Sequence, residues 1–222
     1  MTSTIVKSNQ IVSKERVSNF GEVKTQNRLV KDMVSLIKNE VLRIDSRFLE
    51  PACGDGNFLI EILNEKLKLI HLKYKKNHIE FEKNALYAVS SLYGVELLLD
   101  NVEKTRNRLF DTTNTFCLEN YNYELENDFI LSIKYILKKN IINGDALTLK
   151  DVKNKKDIIF SEWSMVSSDE FKRRDYTFSE LLAYQPIEEL NLFSDLGDKA
   201  FIPTPIKEYP PKHYLKIHEY TK

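Results

Sequence analysis

The chain has 222 residues, of which 42% are hydrophobic and 30% are charged, with 33 basic and 33 acidic side chains. This length and composition predict one globular domain with extended ends, and the zero net charge argues against binding to nucleic acid through a general basic excess. The two distant cysteines, the polar residues 1–7 and the lack of an apolar run of about 20 residues predict a cytoplasmic protein without disulfides, signal peptide or membrane span.

Helical and strand patterns alternate along most of the chain. The polar residues 1–16 are predicted to form a flexible arm. Alternation of this kind predicts an α/β fold with a doubly wound, mostly parallel sheet. The predicted helices cover residues 25–41, 57–73, 79–89, 100–110 and 119–139, and the predicted strands cover residues 47–50, 92–96, 141–142 and 157–160.

The pattern weakens after Phe160. Residues 164–200 are predicted to be a variable, charged segment with helix between Phe178 and Leu192. Four of the six prolines lie between Pro203 and Pro211, which predicts an extended, polyproline-like tail over residues 201–222 that lies on the domain or on a partner. The basic triplet of residues 172–174, followed by Tyr176, is suited to contact phosphates and a base, although such a triplet is also typical of a solvated face.

The most informative segment joins the first predicted strand to the helix after it. From Phe48 to Leu59 it reads Phe-Leu-Glu-Pro-Ala-Cys-Gly-Asp-Gly-Asn-Phe-Leu. Its two glycines let the backbone approach a ligand closely, although an ordinary tight turn also uses glycine. The segment resembles the first motif of adenine-specific DNA methylases that use S-adenosylmethionine, with Glu50 in the place of an aspartate and Asp55 in the place of a serine.

The resemblance covers residues 17–163 and implies a class I methyltransferase fold of the Rossmann-like type, truncated after its fourth strand. Glu96 ends the second predicted strand, where a carboxylate accepts hydrogen bonds from a ribose diol. Asp145 matches the family residue that binds the adenine amine, and Thr25 lies in a segment similar to the family's Gly-Glu-x-x-Thr-Pro motif. Thr25 also suits a helix N-cap. The implied S-adenosylmethionine-binding residues are Thr25, Glu50, Pro51, Ala52, Gly54, Gly56, Phe58, Glu96 and Asp145.

The catalytic step is predicted from the end of the fourth strand. There the family has Asn, Asp or Ser followed by Pro-Pro and an aromatic residue, which hold the flipped adenine. This chain has Ser161, Glu162 and Trp163 without Pro-Pro. Ser161 or Glu162 is a candidate acceptor for the adenine amine, and Trp163 is a candidate to stack on the base. The alternative is that Trp163 packs on the sheet and Glu162 is solvated.

These residues lead to a first hypothesis: an adenine-specific DNA methyltransferase that uses S-adenosylmethionine and forms a small or split modification component of a restriction system. DNA is the expected partner, directly or through another subunit, and no metal site is predicted. The alternative is a catalytically inactive methyltransferase-fold subunit that binds or regulates another chain, with the proline-rich tail as its docking segment. A methyltransferase for a small molecule or a protein is a third hypothesis.

Overall fold

The computed structural model describes residues 25–182 and 203–221, together with Arg16 and Ser18. Most of the predicted arm over residues 1–16, and the predicted helix beyond Leu182, therefore lie outside the described residues. At the end of that arm, the Arg16 guanidinium donates to the Asp100 carboxylate at 2.6 Å.

Helices and strands alternate as far as the third strand, and antiparallel hairpins follow. The α/β class predicted from the sequence is confirmed. In chain order the elements are α1 (Asn27–Leu36), α2 (Lys38–Val41), β1 (Phe48–Glu50), α3 (Asn57–Tyr74), α4 (His78–Ser90), β2 (Leu92–Glu96), α5 (Leu99–Tyr121), α6 (Asn127–Asn140), β3 (Ile141–Asp145), β4 (Lys150–Asp151), β5 (Ile159–Met165), β6 (Glu170–Thr177), α7 (Phe178–Leu182), β7 (Lys207–Glu208), β8 (Lys212–His213) and a 3-10 helix (Tyr214–Thr221).

The first sheet has the strand order β1-β2-β3-β4. Strands β1, β2 and β3 are parallel, and the short β4 pairs antiparallel with β3, so the sheet is mixed. All five residues of β2 are buried, which makes it the centre of the domain. Side chains alternate across it: Leu92 belongs to the main core, whereas Tyr93 and Val95 face a smaller core with Phe160 and Phe178.

The helix boundaries between β2 and β3 differ from the prediction. Helix α5 continues to Tyr121, because Thr113 and Cys117 keep its buried stripe in phase beyond the predicted end. Asn122 then ends the helix in a left-handed conformation with φ 48°, and α6 begins at Asn127. The predicted helix over residues 119–139 is therefore divided between the end of α5 and all of α6.

The second sheet is built on the β5–β6 hairpin, to which β7 and β8 add short antiparallel pairs. The predicted strand at residues 157–160 begins at Ile159 and continues to Met165. Strand β6 contains the basic triplet that the sequence pattern placed in an irregular segment. It forms a strand because alternate residues, Phe171, Arg173 and Asp175, are buried against the domain.

Residues 214–221 correct the prediction of an extended tail, because they form a 3-10 helix. This helix packs on α6 and buries Tyr214, Ile217 and Tyr220 in the main core. Trp163 and Phe171 belong to that same core. In the described parts of the chain, no helix has the length and apolarity that crossing a membrane requires.

Candidate functional site

The carboxyl edge of the first sheet, where β1, β2 and β3 end, holds the loop of residues 51–56. Gly54 and Gly56 both have left-handed backbones, with φ 53° and 84°. A Cβ on Gly56 would lie 2.7 Å from Cγ2 of Thr105, so α5 closes directly over this position. The Cys53 N–H donates to the Val95 carbonyl at 3.0 Å, which fixes the loop to the end of β2. Glycine is therefore required here both for conformation and for space.

Glu96 joins this loop to the start of α5. One carboxylate oxygen accepts from the Gly54 N–H at 2.9 Å, and the other accepts from the Leu98 N–H at 2.9 Å. The residue is only 9% exposed, so the two backbone donors hold the carboxylate in a defined orientation. Each carboxylate oxygen has a second lone pair, which leaves Glu96 able to accept from a diol.

Glu50 ends β1 beside Glu96 and has a different environment. Burial, followed by the negative charges of Glu96 and Asp55, raises the pKa of Glu50 to about 8. Its buried Oε2 has no hydrogen-bond partner among the described residues. A carboxyl group that keeps its proton at neutral pH is both a donor and an acceptor, so Glu50 and Glu96 offer a ligand complementary groups.

Helix α5 supplies contacts that the sequence analysis missed. Thr105 donates to the Gly54 carbonyl at 2.9 Å. Lys104 and Arg108 pair with the Asp55 carboxylate at 3.0 and 3.2 Å, and Arg108 also donates to the Asp55 carbonyl. Asp55 therefore faces α5 rather than the open edge. The only sequence signal was the position of Lys104, Thr105 and Arg108, which lie about one helical turn apart in the helix after the acidic end of β2.

The end of β3 contributes an amide and a carboxylate. Asn143, which the sequence analysis did not assign, donates to the carbonyls of Glu96 and Leu97 at 3.1 and 2.9 Å and so joins β3 to β2. Asp145 accepts from the Leu147 N–H and the Thr148 hydroxyl at 2.9 and 3.0 Å, and these bonds lower its pKa. Asp145 thus stabilises its own turn while lying at the same edge as Glu96.

The remaining predicted cofactor residues lie around the start of α3. The Thr25 carbonyl accepts from the Asn57 amide at 3.4 Å, which brings the segment before α1 to this place. Thr25 is not the N-cap of α1, since Gln26 occupies that position without a side-chain bond, so the capping prediction was wrong. Phe58 is partly buried and packs against the main core, whereas Pro51 and Ala52 are exposed. Phe20–Lys24 lie outside the described residues.

The three predicted catalytic residues do not lie at the carboxyl edge. Strand β5 starts there, since the Ile158 N–H donates to the Leu149 carbonyl beyond the end of β3. The strand then runs towards the amino edge, where β1, β2 and β3 begin. Glu162 pairs there with Arg47, the residue before β1, at 2.5 Å. Arg47 and Glu50 are three residue steps apart along the strand, about 10 Å at about 3.3 Å per residue.

Each of the three side chains has a structural partner at its position. Trp163 is 1% exposed, and its indole N–H donates to the Asn140 side chain at 3.1 Å, so it packs in the core as the alternative hypothesis described. The Ser161 hydroxyl donates to Asp175 at 2.8 Å. Glu162 is paired rather than solvated. This placement does not support the assignment of these residues to a base beside the cofactor site.

Comparisons of the chain with protein-family models, curated proteins and solved structures found no match. The geometry of the carboxyl edge is therefore the basis for a functional hypothesis.

Proposed function

We propose that the chain binds S-adenosylmethionine at the carboxyl edge, as the cofactor-binding part of an adenine-specific DNA methyltransferase of a restriction system. The observation that carries this proposal is the contact between Glu96 and the Gly54 N–H at 2.9 Å. It brings an acidic strand end and a left-handed glycine loop together on adjacent parallel strands. Open α/β sheets bind nucleosides at such positions.

The residues at this edge fit the chemical groups of the cofactor. The backbone of residues 54–56 would lie against the adenosyl group at Gly54, where nothing lies within 4 Å of a Cβ position, and Glu96 would accept the ribose hydroxyls. Asp145 would accept the adenine amine. A protonated Glu50 would offer a donor near the polar end of the ligand. Bound here, the cofactor would supply a sulfonium methyl group for transfer to an amine.

The parallel order β1-β2-β3 supports a Rossmann-like cofactor half, since such sheets contain this order on one side of their switch point. The reversed direction of β5 leaves the carboxyl edge without the predicted Ser-Glu-Trp segment. A split methyltransferase accounts for both facts, because a partner subunit would then supply the groups that hold the target base. DNA would reach this site through that partner.

The placement of Trp163 and Glu162 at the amino edge also favours the second candidate, a methyltransferase-fold subunit without catalytic activity. The first candidate requires S-adenosylmethionine at the carboxyl edge, whereas the second keeps the methyltransferase fold with or without the bound cofactor. They differ in methyl transfer, which only the first performs when a partner is present.

Calorimetric titration of S-adenosylmethionine into the purified protein tests the proposed cofactor site. We expect a dissociation constant in the micromolar range, at least about tenfold weaker binding by Glu96→Ala, and unchanged binding by Glu103→Ala. Glu103 is the matched control because it is an exposed glutamate of α5. Absence of binding by a folded sample would refute the proposal. Transfer of labelled methyl groups to DNA, measured with co-purified partners, then distinguishes the two candidates.

A further inference from the structure

The two faces of the β5–β6 hairpin have different chemistry. Directly opposed residues of the two strands point to the same face. One face is buried over most of its length and carries the pairs Ser161–Asp175, Trp163–Arg173 and Met165–Phe171. The opposite face carries Phe160–Tyr176, Glu162–Arg174 and Ser164–Lys172. Along β6 this second face therefore presents a phenol and then two cations, each about 6.6 Å from the next because strand residues rise about 3.3 Å.

This second face forms one wall of a cleft of about 300 Å³. The other wall comes from Phe48 and Leu49 of β1, with Tyr93 and Phe178 at the base. Most of the lining is apolar and aromatic, and charged groups lie on one side. None of the residues assigned to S-adenosylmethionine lines the cleft, so it is a site separate from the carboxyl edge.

The charged side of the cleft has an excess of one positive charge. Glu162 accepts from Arg47 at 2.5 Å and from Arg174 at 3.1 Å. Glu208 pairs with Lys172 at 2.6 Å and with Arg174 at 3.5 Å. Of these groups Arg47, Glu162 and Arg174 line the cleft itself, so two cations there face one carboxylate. An arginine fork that is shared between two carboxylates and partly exposed retains N–H donors for a further anion.

We propose that this cleft binds a nucleotide, with the base among its aromatic side chains and the phosphate at Arg174. Tyr176 is the partly exposed aromatic residue of the second face, and stacking on such a ring tolerates any base. Arg174 binds a phosphate oxygen, and Arg47, which lines the same cleft and shares Glu162 with Arg174, holds the same or a neighbouring phosphate. Glu162 accepts from an exocyclic amine of the base.

The nucleotide has two possible sources, a free mononucleotide or an unpaired position in a single strand. Both present a planar base and a phosphate. The proposal goes beyond the proposed function and does not depend on it, because a chain that failed to bind S-adenosylmethionine would still contain this cleft. Cytosine is the suitable base for a test, since it has an exocyclic amine but does not resemble the adenosyl group.

The experiment measures fluorescence anisotropy of a labelled single-stranded (dC)10, with deoxycytidine monophosphate and deoxycytidine as competitors. We expect (dC)10 to bind and the monophosphate to compete at least about tenfold better than the nucleoside, because only the monophosphate contacts Arg174. Binding of the oligonucleotide without competition by the monophosphate would identify single strands as the source. Direct binding of the monophosphate, followed by calorimetry, without binding of (dC)10 would identify free nucleotides.

Variants locate the binding in the cleft. Arg174→Met should raise the dissociation constant about tenfold and reduce the slope of log affinity against log salt by about 0.7. Tyr176→Leu should raise it about tenfold without changing that slope, and Tyr176→Phe should bind like wild type. Lys153→Met is the control, because Lys153 is an exposed lysine of the turn after β4.

The thermal unfolding midpoint of each variant establishes that it is folded, and Glu96→Ala, at the other site, should bind (dC)10 like wild type. The proposal is overturned if neither cytidine probe binds the folded protein. It is equally overturned if Lys153→Met weakens binding as much as Arg174→Met, since the contact would then be a general attraction to basic side chains.

Discussion

The two edges of the parallel sheet hold their acidic groups by different means. At the carboxyl edge, backbone N–H groups from residues 54 and 98 orient Glu96. At the amino edge, the side chains of Arg47 and Arg174 orient Glu162. The first arrangement depends on the conformation of a short loop, whereas the second depends on the packing of the β5–β6 hairpin beside Arg47, which lies 115 residues before Glu162 in the chain. The edges should therefore respond differently to substitution, pH and salt.

The hairpin at the amino edge should show the largest effect. On its buried face Arg173 makes two bonds to Asp175, at 2.8 and 2.7 Å, and both residues are less than 10% exposed. Arg173→Met leaves the Asp175 charge buried without a cation, with hydroxyl donors from Ser161 and Tyr209 only, so we expect a loss of about 3–5 kcal/mol in the free energy of unfolding. Urea denaturation followed by circular dichroism measures it.

The double variant Arg173→Met with Asp175→Leu serves as the control for this pair. It removes both charges and should recover part of the loss. A single-variant loss below about 1 kcal/mol would show that the pair does not stabilise the hairpin.

The glycine loop at the carboxyl edge should show the next largest effect. Gly56→Ala combines a left-handed backbone of φ 84° with a Cβ 2.7 Å from Cγ2 of Thr105, so we expect a loss of at least about 2 kcal/mol and weaker cofactor binding. Gly54→Ala has only the conformational cost, about 1 kcal/mol, since nothing lies within 4 Å of its Cβ. Thermal unfolding of both variants separates the conformational cost of the left-handed backbone from the cost of the contact with Thr105.

Thr105→Ser in the background of Gly56→Ala removes the methyl group nearest to the new Cβ and should restore part of the stability. Equal losses for Gly54→Ala and Gly56→Ala would contradict the close packing of α5 on the loop.

The pH dependence of stability should distinguish Glu50 from the paired carboxylates. Its pKa is about 8 in the folded protein, against an ordinary value of 4.5. The folded state therefore retains a proton that the unfolded state releases, so this contribution to stability is full below about pH 4.5 and is lost as the pH rises towards 8. Glu50→Gln has no carboxyl group to ionise, so it does not lose this stability. Its free energy of unfolding should therefore increase relative to that of wild type as the pH rises across this range.

Denaturant titrations of wild type and Glu50→Gln at several pH values measure that difference. Burial also raises the pKa of Glu82, to about 7, so Glu82 too lowers the stability as the pH rises. It is present in both proteins and does not affect the comparison. A difference that is constant with pH would mean that Glu50 titrates normally.

The smallest effect is expected for the pair between the exposed Lys104 and the partly buried Asp55 at the carboxyl edge. Lys104 is 47% exposed and contacts Asp55 at 3.0 Å. Lys104→Met should reduce the free energy of unfolding by less than about 1 kcal/mol, because solvent and salt screen such a pair. Thermal unfolding at low and high salt measures it, and the difference from wild type should shrink as salt rises. A larger, salt-independent loss would show that Lys104 acts through packing.

The carboxyl edge was predicted from the sequence because its elements are local. Residues 50–57 contain the strand end, the glycines and the helix start in one stretch, so chain geometry alone brings them together. Glu96 was assigned because β2 has a clear strand pattern followed by a helix. The contacts of Thr105, Arg108 and Asn143 were not predicted, since they depend on how α5 and β3 pack on that loop.

The amino edge was not predictable in the same way. Strand β5 pairs with β6 rather than with the first sheet, and the alternation of buried and exposed residues in β6 is hidden by charged residues on both of its faces. An arginine in a charged segment is typical of a surface. Arg173 is buried because Asp175, Ser161 and Tyr135 bind its guanidinium, and these partners come together only in the folded chain. The 3-10 helix was missed for a similar reason, since Tyr214, Ile217 and Tyr220 find their partners only in the assembled core.

The 3-10 helix helps to hold the last described part of the chain to the domain without covalent bonds. It packs on α6 through three buried side chains, and β7 and β8 attach to β6 by backbone pairing. Residues 203–221 are thus held to the domain by many contacts besides the peptide bonds that lead to them. A chain divided into two polypeptides between Leu182 and Pro203 should reassemble when the pieces are expressed together, as a protein complemented by its own fragment.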